Sequence, residues 1–360
     1  MLIHFKGAVI LIFTSHGPQS KFKRLGLQTL YFKYARHYSR TMLGLSALFP
    51  PAPKWNIDQV PDLTGRIAIV TGGNSGIGYE TVRVLLSKNA KVYMAARSEE
   101  RAQQAITELS KLQLPGQVEW MLLDLASLES IKKFAEEYLI NVQRVDMLFN
   151  SAGVMNPVVG PTTKDGYELH VGTNSLGHHY LTLLLLPALR ASAQATPDQP
   201  PRVCFTSSIA HRNSSPKGFD PADVAGIHTS CYVPAHTRAY GQSKLYNILS
   251  ANWFHRHYGK ENIVFTSCHP GILESELVRD WDKGLNAIAI PLLKSTIFYP
   301  AHMGAITQLY LNTAPEAAGE GGSYYVAWAR KYKSIPISRN ERVQDAFAAW
   351  VNEQVAQHAS

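Results

Sequence analysis

From residue 66 onward, short apolar, β-branched runs alternate with longer amphipathic stretches. The runs at 67–70, 92–95, 118–123, 147–149, 203–206 and 264–268 read as buried strands. The stretches at 79–88, 99–111, 128–142, 174–193 and 239–258 read as helices between them. Apolar strands separated by helices imply a parallel sheet covered on both faces. The expected fold class is therefore α/β, a single doubly wound parallel-sheet domain with helices on both faces. No internal repeat or low-complexity stretch interrupts the pattern.

In such sheets, ligands bind beyond the carboxyl ends of the strands, so the residues standing there carry the chemistry. After the first strand comes Thr71-Gly72-Gly73-Asn74-Ser75-Gly76-Ile77-Gly78. Glycines between a strand and a helix let the backbone approach a pyrophosphate, which the helix N-terminus attracts. This makes the sheet a dinucleotide-binding, Rossmann one, with Gly72, Asn74, Ser75, Gly76, Ile77 and Gly78 as cofactor contacts. The second strand ends in Arg97-Ser98, with no carboxylate to hold a ribose diol. Arginine suits a 2′-phosphate, so the expected cofactor is NADP(H); the plainer alternative is a solvated strand-end residue. Asp124-Leu125 follow the third strand, where the adenine ring is expected. Asn150, Ser151, Ala152 and Gly153 follow the fourth, small enough for the backbone to close over the cofactor. Asn150 has a second reading, as a tie between neighbouring strands.

Tyr240 and Lys244 stand one turn apart on a predicted helix. A free tyrosine titrates near ~10, too high for proton transfer at neutral pH. An ammonium at ~4 Å, at an effective dielectric of ~20, attracts a phenolate by about 4 kcal/mol, enough to bring the hydroxyl close to neutrality. The pair therefore reads as a general acid/base.

Composition adds limits. The chain has 360 residues, 45% hydrophobic and 17% charged, which suits one large globular domain. Cys204, Cys231 and Cys268 cannot form a disulfide framework, and the scattered histidines lack zinc-ligand spacing, so no metal is expected. His178 and His179, opening an apolar helix, read as packing groups. The net charge of +8 lies outside the expected domain: eight basic residues precede the first acidic one, Asp58, and the remainder carries 27 of each sign. A nucleic-acid surface is therefore not expected.

Residues 1–57 form a basic extension and a proline-rich linker, Pro50-Pro51-Ala52-Pro53, ahead of a domain over 58–360. Residues 1–41 have three readings: a transit peptide, an over-called start with Met42 as the working initiator, or a functional arm. In each they are expected to be disordered or outside the working protein. The apolar run 8–13 is too short to span a membrane.

The motifs arrive together and in order. Thr71-Gly-x-x-x-Gly-x-Gly78, Asn150-x-Ala-Gly153, Asn174, Ser208, Tyr240-x-x-x-Lys244 and Pro270-Gly271 resemble the short-chain dehydrogenase/reductase family over roughly residues 63–328. Thr206-Ser-Ser-Ile-Ala-His211 and His269-Pro-Gly-Ile-Leu-Glu-Ser-Glu-Leu-Val278 are similar to its retinol dehydrogenase-like branch. The stretches at 48–54 and 90–99 are similar to fungal members. The resemblance implies that Tyr240 moves a proton at the substrate oxygen. Lys244 lowers its pKa and binds the nicotinamide ribose, Ser208 bonds the substrate oxygen, and Asn174 holds a relay water. It adds Pro270, Gly271 and Ser275 to the cofactor contacts. Ser207 competes with Ser208, and the following Ile209-Ala210 favours Ser208. Ser151 stands where many members have asparagine, and Ser275 where many have threonine.

The activity implied is carbonyl–alcohol interconversion on a hydrophobic small molecule, in fungal secondary metabolism. Reduction of a C=C bond and a non-catalytic NADP-sensing scaffold are the alternatives. Segments 209–239 and 272–300 are expected to wall the substrate pocket, the first with Pro216, Phe219, Pro221, His228, Tyr232 and Pro234. The second carries Leu273, Leu277, Trp281, Leu285, Ile288, Ile290, Leu292, Leu293, Phe298 and Tyr299. Core packing or a subunit contact is the other reading of these side chains. No transmembrane span is expected, and a homo-oligomer is left open. The expected compartment is cytoplasmic, with mitochondrial targeting or peripheral membrane association as alternatives.

Overall fold

The computed structural model describes residues 2–5, 8–11, 50–155, 160–221, 224, 235–273 and 298–357, with backbone alone at 2–5, 8–11, 235 and 236. The chain divides into two units, Met1–Leu48 and Phe49–Ser360. Within the first, Leu2–Phe5 pairs antiparallel with Ala8–Leu11.

The second unit holds an eight-stranded sheet. Its strands are β1 (Ile67–Thr71), β2 (Lys91–Ala96), β3 (Gln117–Leu122), β4 (Met147–Asn150), β5 (Arg202–Thr206), β6 (Val264–Cys268), β7 (Tyr324–Val326) and β8 (Arg330–Tyr332). They lie in the order β3-β2-β1-β4-β5-β6-β7-β8, parallel except for β8, which runs antiparallel to β7. The order reverses between β1 and β4, and the crevice at such a switch point is where nucleotides bind.

The helices are α1 (Gly76–Ser87), α2 (Glu99–Ser110), α3 (Leu128–Asn141), α4 (Gly177–Leu184), α5 (Leu186–Ala195), α6 (Ala235–Tyr258), α7 (Ala301–Thr313) and α8 (Glu341–Gln357). Alternation along the strands builds two cores. Ala68, Val70, Val92 and Met94 face α1, α2 and α7, packing with Leu85, Leu109 and Leu309. Ile69, Leu148, Phe205 and Phe265 face the other way, against Ile131, Leu181, Leu249 and Phe347. Helix starts follow local chemistry. Ser98 Oγ accepts from the Arg101 N–H and Ser127 Oγ from the Ser130 N–H, each relieving an orphan donor of the first turn.

Three expectations need correction. The stretch 174–193 is not one helix. It begins in a π-helical turn, Gly172–Leu176, and breaks at Leu185 before α5, whose first turn holds Pro187 without an N–H to donate. The stretch 118–123 is not a buried strand: β3 is the sheet edge, with Gln117, Glu119 and Leu122 exposed. Trp55 is not linker. It is buried, edge-on to Tyr310 at 5.5 Å, and with Val60 and Leu63 belongs to the core.

Candidate active site

The turn from β1 into α1 is shaped for a close-lying ligand. Gly72 and Gly76 take left-handed φ values of 67° and 53°. A Cβ on Gly78 would stand 2.3 Å from the Gly72 carbonyl oxygen, so only glycine lets α1 begin this near the strand. Ser75 makes no side-chain cap bond, which leaves the first N–H groups of α1 and the positive end of its dipole for a phosphate. Asn74 and Ile77 are half-buried on either side, and Ile77 reaches Gly304 of α7.

Arg97, at the end of β2, is exposed and has no hydrogen-bond or ion-pair partner among the described residues. Ser98 is its neighbour in the N-cap of α2. Asp124 accepts from the Ala126 N–H at 3.1 Å and pairs with Lys164 at 3.1 Å. Leu125 is buried, its carbonyl backing α4 at Gly177. Asn150 is fully buried and donates to Thr182 Oγ1 at 3.0 Å, tying β4 to α4. Ser151 and Ala152 both donate their N–H groups to Thr71 Oγ1 at 2.9 Å. Pro270 is buried, and Gly271 has φ 103° with Trp328 against it. The glycine turn, the open helix end and the small residues at 152 and 153 together fit a dinucleotide. Ser275 lies outside the described residues.

Ser208, Tyr240, Lys244 and Asn174 meet at this end of the sheet. Ser208 caps the 3-10 turn Ile209–Asn213 and accepts from the Ala210 N–H at 3.2 Å. That occupies one lone pair and leaves its hydroxyl proton to donate. Tyr240 on α6 hydrogen-bonds Ser208. The hydroxyl of Ser207 is spent on the Lys244 carbonyl at 2.7 Å, which removes it as a competitor for Ser208's role. A Cβ on Gly153 would lie 3.3 Å from both Lys244 Nζ and Asn174 Oδ1, so the glycine lets these two groups close on the cofactor loop. The Asn174 amide is committed to protein: Oδ1 accepts from the Val154 N–H at 2.7 Å, and Nδ2 donates to Val154 O and Ser243 Oγ, both at 3.0 Å.

The electrostatics differ from the simple pair. Lys244 Nζ sits 5.7 Å from the Tyr240 ring centroid and donates to Thr206 O at 3.0 Å. Burial pushes the Tyr240 hydroxyl up to about 12, with the Ser208 bond offsetting part of the rise. Burial likewise pulls Lys244 down to about 8, partly offset by Cys268. Removal from water therefore outweighs the expected attraction, because the ammonium is aimed at a carbonyl rather than at the phenol.

Sequence reasoning missed the support beneath these groups. Ser151 Oγ and Thr206 Oγ1 both donate to Gln308 Oε1 of α7, at 3.2 and 3.0 Å. Ser243 Oγ donates to Tyr240 O while receiving Asn174 Nδ2. His170, bonded to Glu168 at 2.6 Å, stands edge-on to Tyr240. His178 bonds Asn174, one helical turn before it, and that spacing was a usable signal. On the substrate side, Phe219 packs among Tyr246, Phe347 and Trp350, so its ring is core and not pocket wall. Leu273 is buried and Tyr299 stands edge-on to Trp328. His228, Tyr232, Pro234 and the apolar residues from Leu277 to Leu293 lie outside the described residues. Among the described residues, no helix is long and apolar enough to cross a membrane, and no group of three His, Cys, Asp or Glu could hold a metal.

A switch-point crevice with a glycine cradle, flanked by a tyrosine, a lysine and a serine, defines a dinucleotide-dependent oxidoreductase site. Residues 66–219 match the family model described as short chain dehydrogenase. The chain is similar to a short-chain dehydrogenase/reductase of Armillaria gallica, 40% identical over 86% of this chain and 96% of that protein. It is also similar to the human polyprenol dehydrogenase, 33% identical over 83% and 84%. Among solved structures it resembles a Mycobacterium paratuberculosis protein, 26% identical, covering 84% of this chain and 97% of that one with a TM-score of 0.62. Pseudomonas aeruginosa RhlG, solved with NADP, shares the fold at 24% identity, 76% and 97% coverage and a TM-score of 0.56. The chain belongs to the short-chain dehydrogenase/reductase family, and as a member it is an oxidoreductase with a nicotinamide dinucleotide cofactor.

Proposed function

We propose that the protein is an NADP(H)-dependent reductase of a carbonyl group on a hydrophobic small molecule, able to run in reverse on the alcohol. The observation that carries this is the contact of Tyr240 with Ser208, beside Lys244 and Gly153 at the mouth of the glycine cradle. Gly72, Asn74, Ser75, Gly76, Ile77 and Gly78 would hold the pyrophosphate. Asp124, Leu125 and Asn150 to Gly153 would lie along the adenosine, and Pro270, Gly271 and Ser275 near the nicotinamide. Arg97 would take the 2′-phosphate, and its exposed guanidinium, unpaired among the described residues, supports the phosphorylated cofactor.

When bound, the dinucleotide supplies the hydride. Ser208 donates to the substrate oxygen and stabilises the charge that develops there. Tyr240 delivers a proton to the same oxygen. Because burial holds that proton up to about 12, the tyrosine is in its acid form at neutral pH, the form that protonates the oxygen during carbonyl reduction. Lys244 stays charged below about 8 and would bind the nicotinamide ribose hydroxyls. Asn174, whose side-chain amide is spent on Val154 and Ser243, would hold the relay water through the lone pair of its main-chain carbonyl that His178 leaves free.

The relationship to a protein named polyprenol dehydrogenase supports a long apolar alcohol or its aldehyde as substrate. The fungal relatives suit a role in secondary metabolism. The test is a Tyr240→Phe variant assayed on a panel of hydrophobic aldehydes and ketones, with products identified by mass and NMR. Turnover is expected to fall about 10²- to 10⁴-fold, with NADPH affinity retained. Near-full turnover in the variant, or saturation of a C=C bond in place of carbonyl reduction, would overturn the reading.

A further inference from the structure

His178 is fully buried on α4, and both its ring nitrogens are bonded. Nδ1 lies 2.9 Å from the main-chain oxygen of Asn174, and Nε2 lies 2.9 Å from Thr71 Oγ1. Thr71 ends β1, and its hydroxyl already receives the Ser151 and Ala152 N–H groups, both at 2.9 Å. One imidazole therefore joins the wall of the dinucleotide crevice to the residue beneath Lys244. Its neighbour His179 differs: it bonds Ser250 and packs among Trp253, Phe254 and Phe347.

Donor counting fixes the proton. The Asn174 carbonyl can only accept, so Nδ1 must carry a hydrogen. A neutral ring then has a bare Nε2, which competes with the Phe149 carbonyl, 3.2 Å from Thr71 Oγ1, for the single hydroxyl proton and at 2.9 Å is the nearer acceptor. The opposite tautomer would set two lone pairs against each other at Asn174 and ask Thr71 Oγ1 to accept three donors with two lone pairs. Burial resists the doubly protonated ring, holding its pKa at about 3. The site of the bond matters too. Asn174 lies in the π-helical turn Gly172–Leu176, a local departure from the α-helical ladder of a kind frequent at functional sites.

We propose that His178, held as the neutral Nδ1–H tautomer, is a positioning residue that locks Asn174 to Thr71 and so sets the catalytic floor in register with the cofactor loop. It touches neither substrate nor cofactor and acts through the two residues it bonds. The assignment of its ends to catalysis and to cofactor binding rests on the function proposed above.

Two substitutions separate the ends. In His178→Asn the amide nitrogen can occupy the place of Nδ1 and keep the Asn174 bond, while the reach to Thr71 is lost. In His178→Gln the longer side chain can meet Thr71 and lose Asn174. NADPH affinity is read by fluorescence titration, and kcat is read on phenanthrenequinone at saturating NADPH. Loss of one neutral hydrogen bond is worth about fivefold. His178→Asn is expected to weaken NADPH binding about fivefold with kcat held within about twofold. His178→Gln is expected to lower kcat about fivefold with NADPH affinity held. Equal losses on both axes in both variants, or a change in melting temperature alone, would overturn the proposal. A third readout needs no variant: the long-range ¹H–¹⁵N spectrum of histidine-labelled wild type, with His178 assigned through its backbone. A single Nδ1–H tautomer from pH 5 to 9 is expected, and the Nε2–H form would overturn the proposal. NADPH binding and the tautomer are read without turnover, so a failed carbonyl assay would count against the proposed reaction and leave this inference testable.

Discussion

Burial, more than pairing, governs Tyr240 and Lys244, the residues proposed to serve catalysis. Lys244 ordinarily titrates at 10.5 and is held at about 8 in the fold. Between those values the unfolded chain binds the extra proton, so stability rises with pH through that window and the cost is fully present below about 8. Lys244→Met removes the buried charge, and Thr206 O keeps its second bond from Asn247 Nδ2 at 2.9 Å. Against the lost Lys244 hydrogen bond, the variant is expected to gain about 2 kcal/mol at pH 7, with the gain fading by pH 10.5 and turnover lost. Urea titrations at the two pH values check this; a variant less stable than wild type at pH 7 would contradict it. Arg97 invites a simpler measurement. Arg97→Ala should weaken NADPH binding about tenfold to a hundredfold while NADH binding stays nearly constant. Equal losses for the two cofactors would remove Arg97 from the 2′-phosphate. Both residues could be picked out from their motifs. Their charge states could not, because desolvation depends on what the fold wraps around them.

The strand-to-helix turn is the element proposed to hold the cofactor's pyrophosphate. Its glycine spacing was readable, since only glycine takes φ 67° and 53° without strain at Gly72 and Gly76. The demand at Gly78 is different: it is a distance to another part of the turn, 2.3 Å from a would-be Cβ to the Gly72 oxygen. Gly78→Ala is therefore expected to push α1 off the turn, weakening NADPH binding about tenfold or more with the circular dichroism spectrum unchanged. Retained affinity would mean that the turn can yield. Strands β1, β2, β4, β5 and β6 were found within a residue or two at each end, because buried parallel strands are apolar throughout. The break at Leu185 went unread because the apolar run continues across it, and Pro187 is tolerated in a first helical turn. Helices α7 and α8 also went unread, yet α7 supplies Gln308 beneath the site.

At the scale of the molecule, α8 closes the core behind the catalytic helix. Phe347 is fully buried, stacked on Tyr246 of α6 at 4.6 Å and edge-on to Phe219 and His179. Phe347→Ala should cost about 3–5 kcal/mol in unfolding free energy, measured by urea titration, although the ring touches no catalytic group. A loss under about 1 kcal/mol would show that the cluster repacks around the gap. The sequence by itself determined the sheet's parallel character, the glycine turn after its first strand and the one-turn pairing of Tyr240 with Lys244. Those features follow from local rules: the period of a strand, the freedom of a glycine, the one-turn spacing of a helix. Tertiary structure alone decided that β3 is an edge, that Phe219 is core, that Ser207 is spent on Lys244, and that His178 bridges Asn174 to Thr71. Each of these depends on which distant segment arrives alongside, and on which polar atoms are left without water when it does.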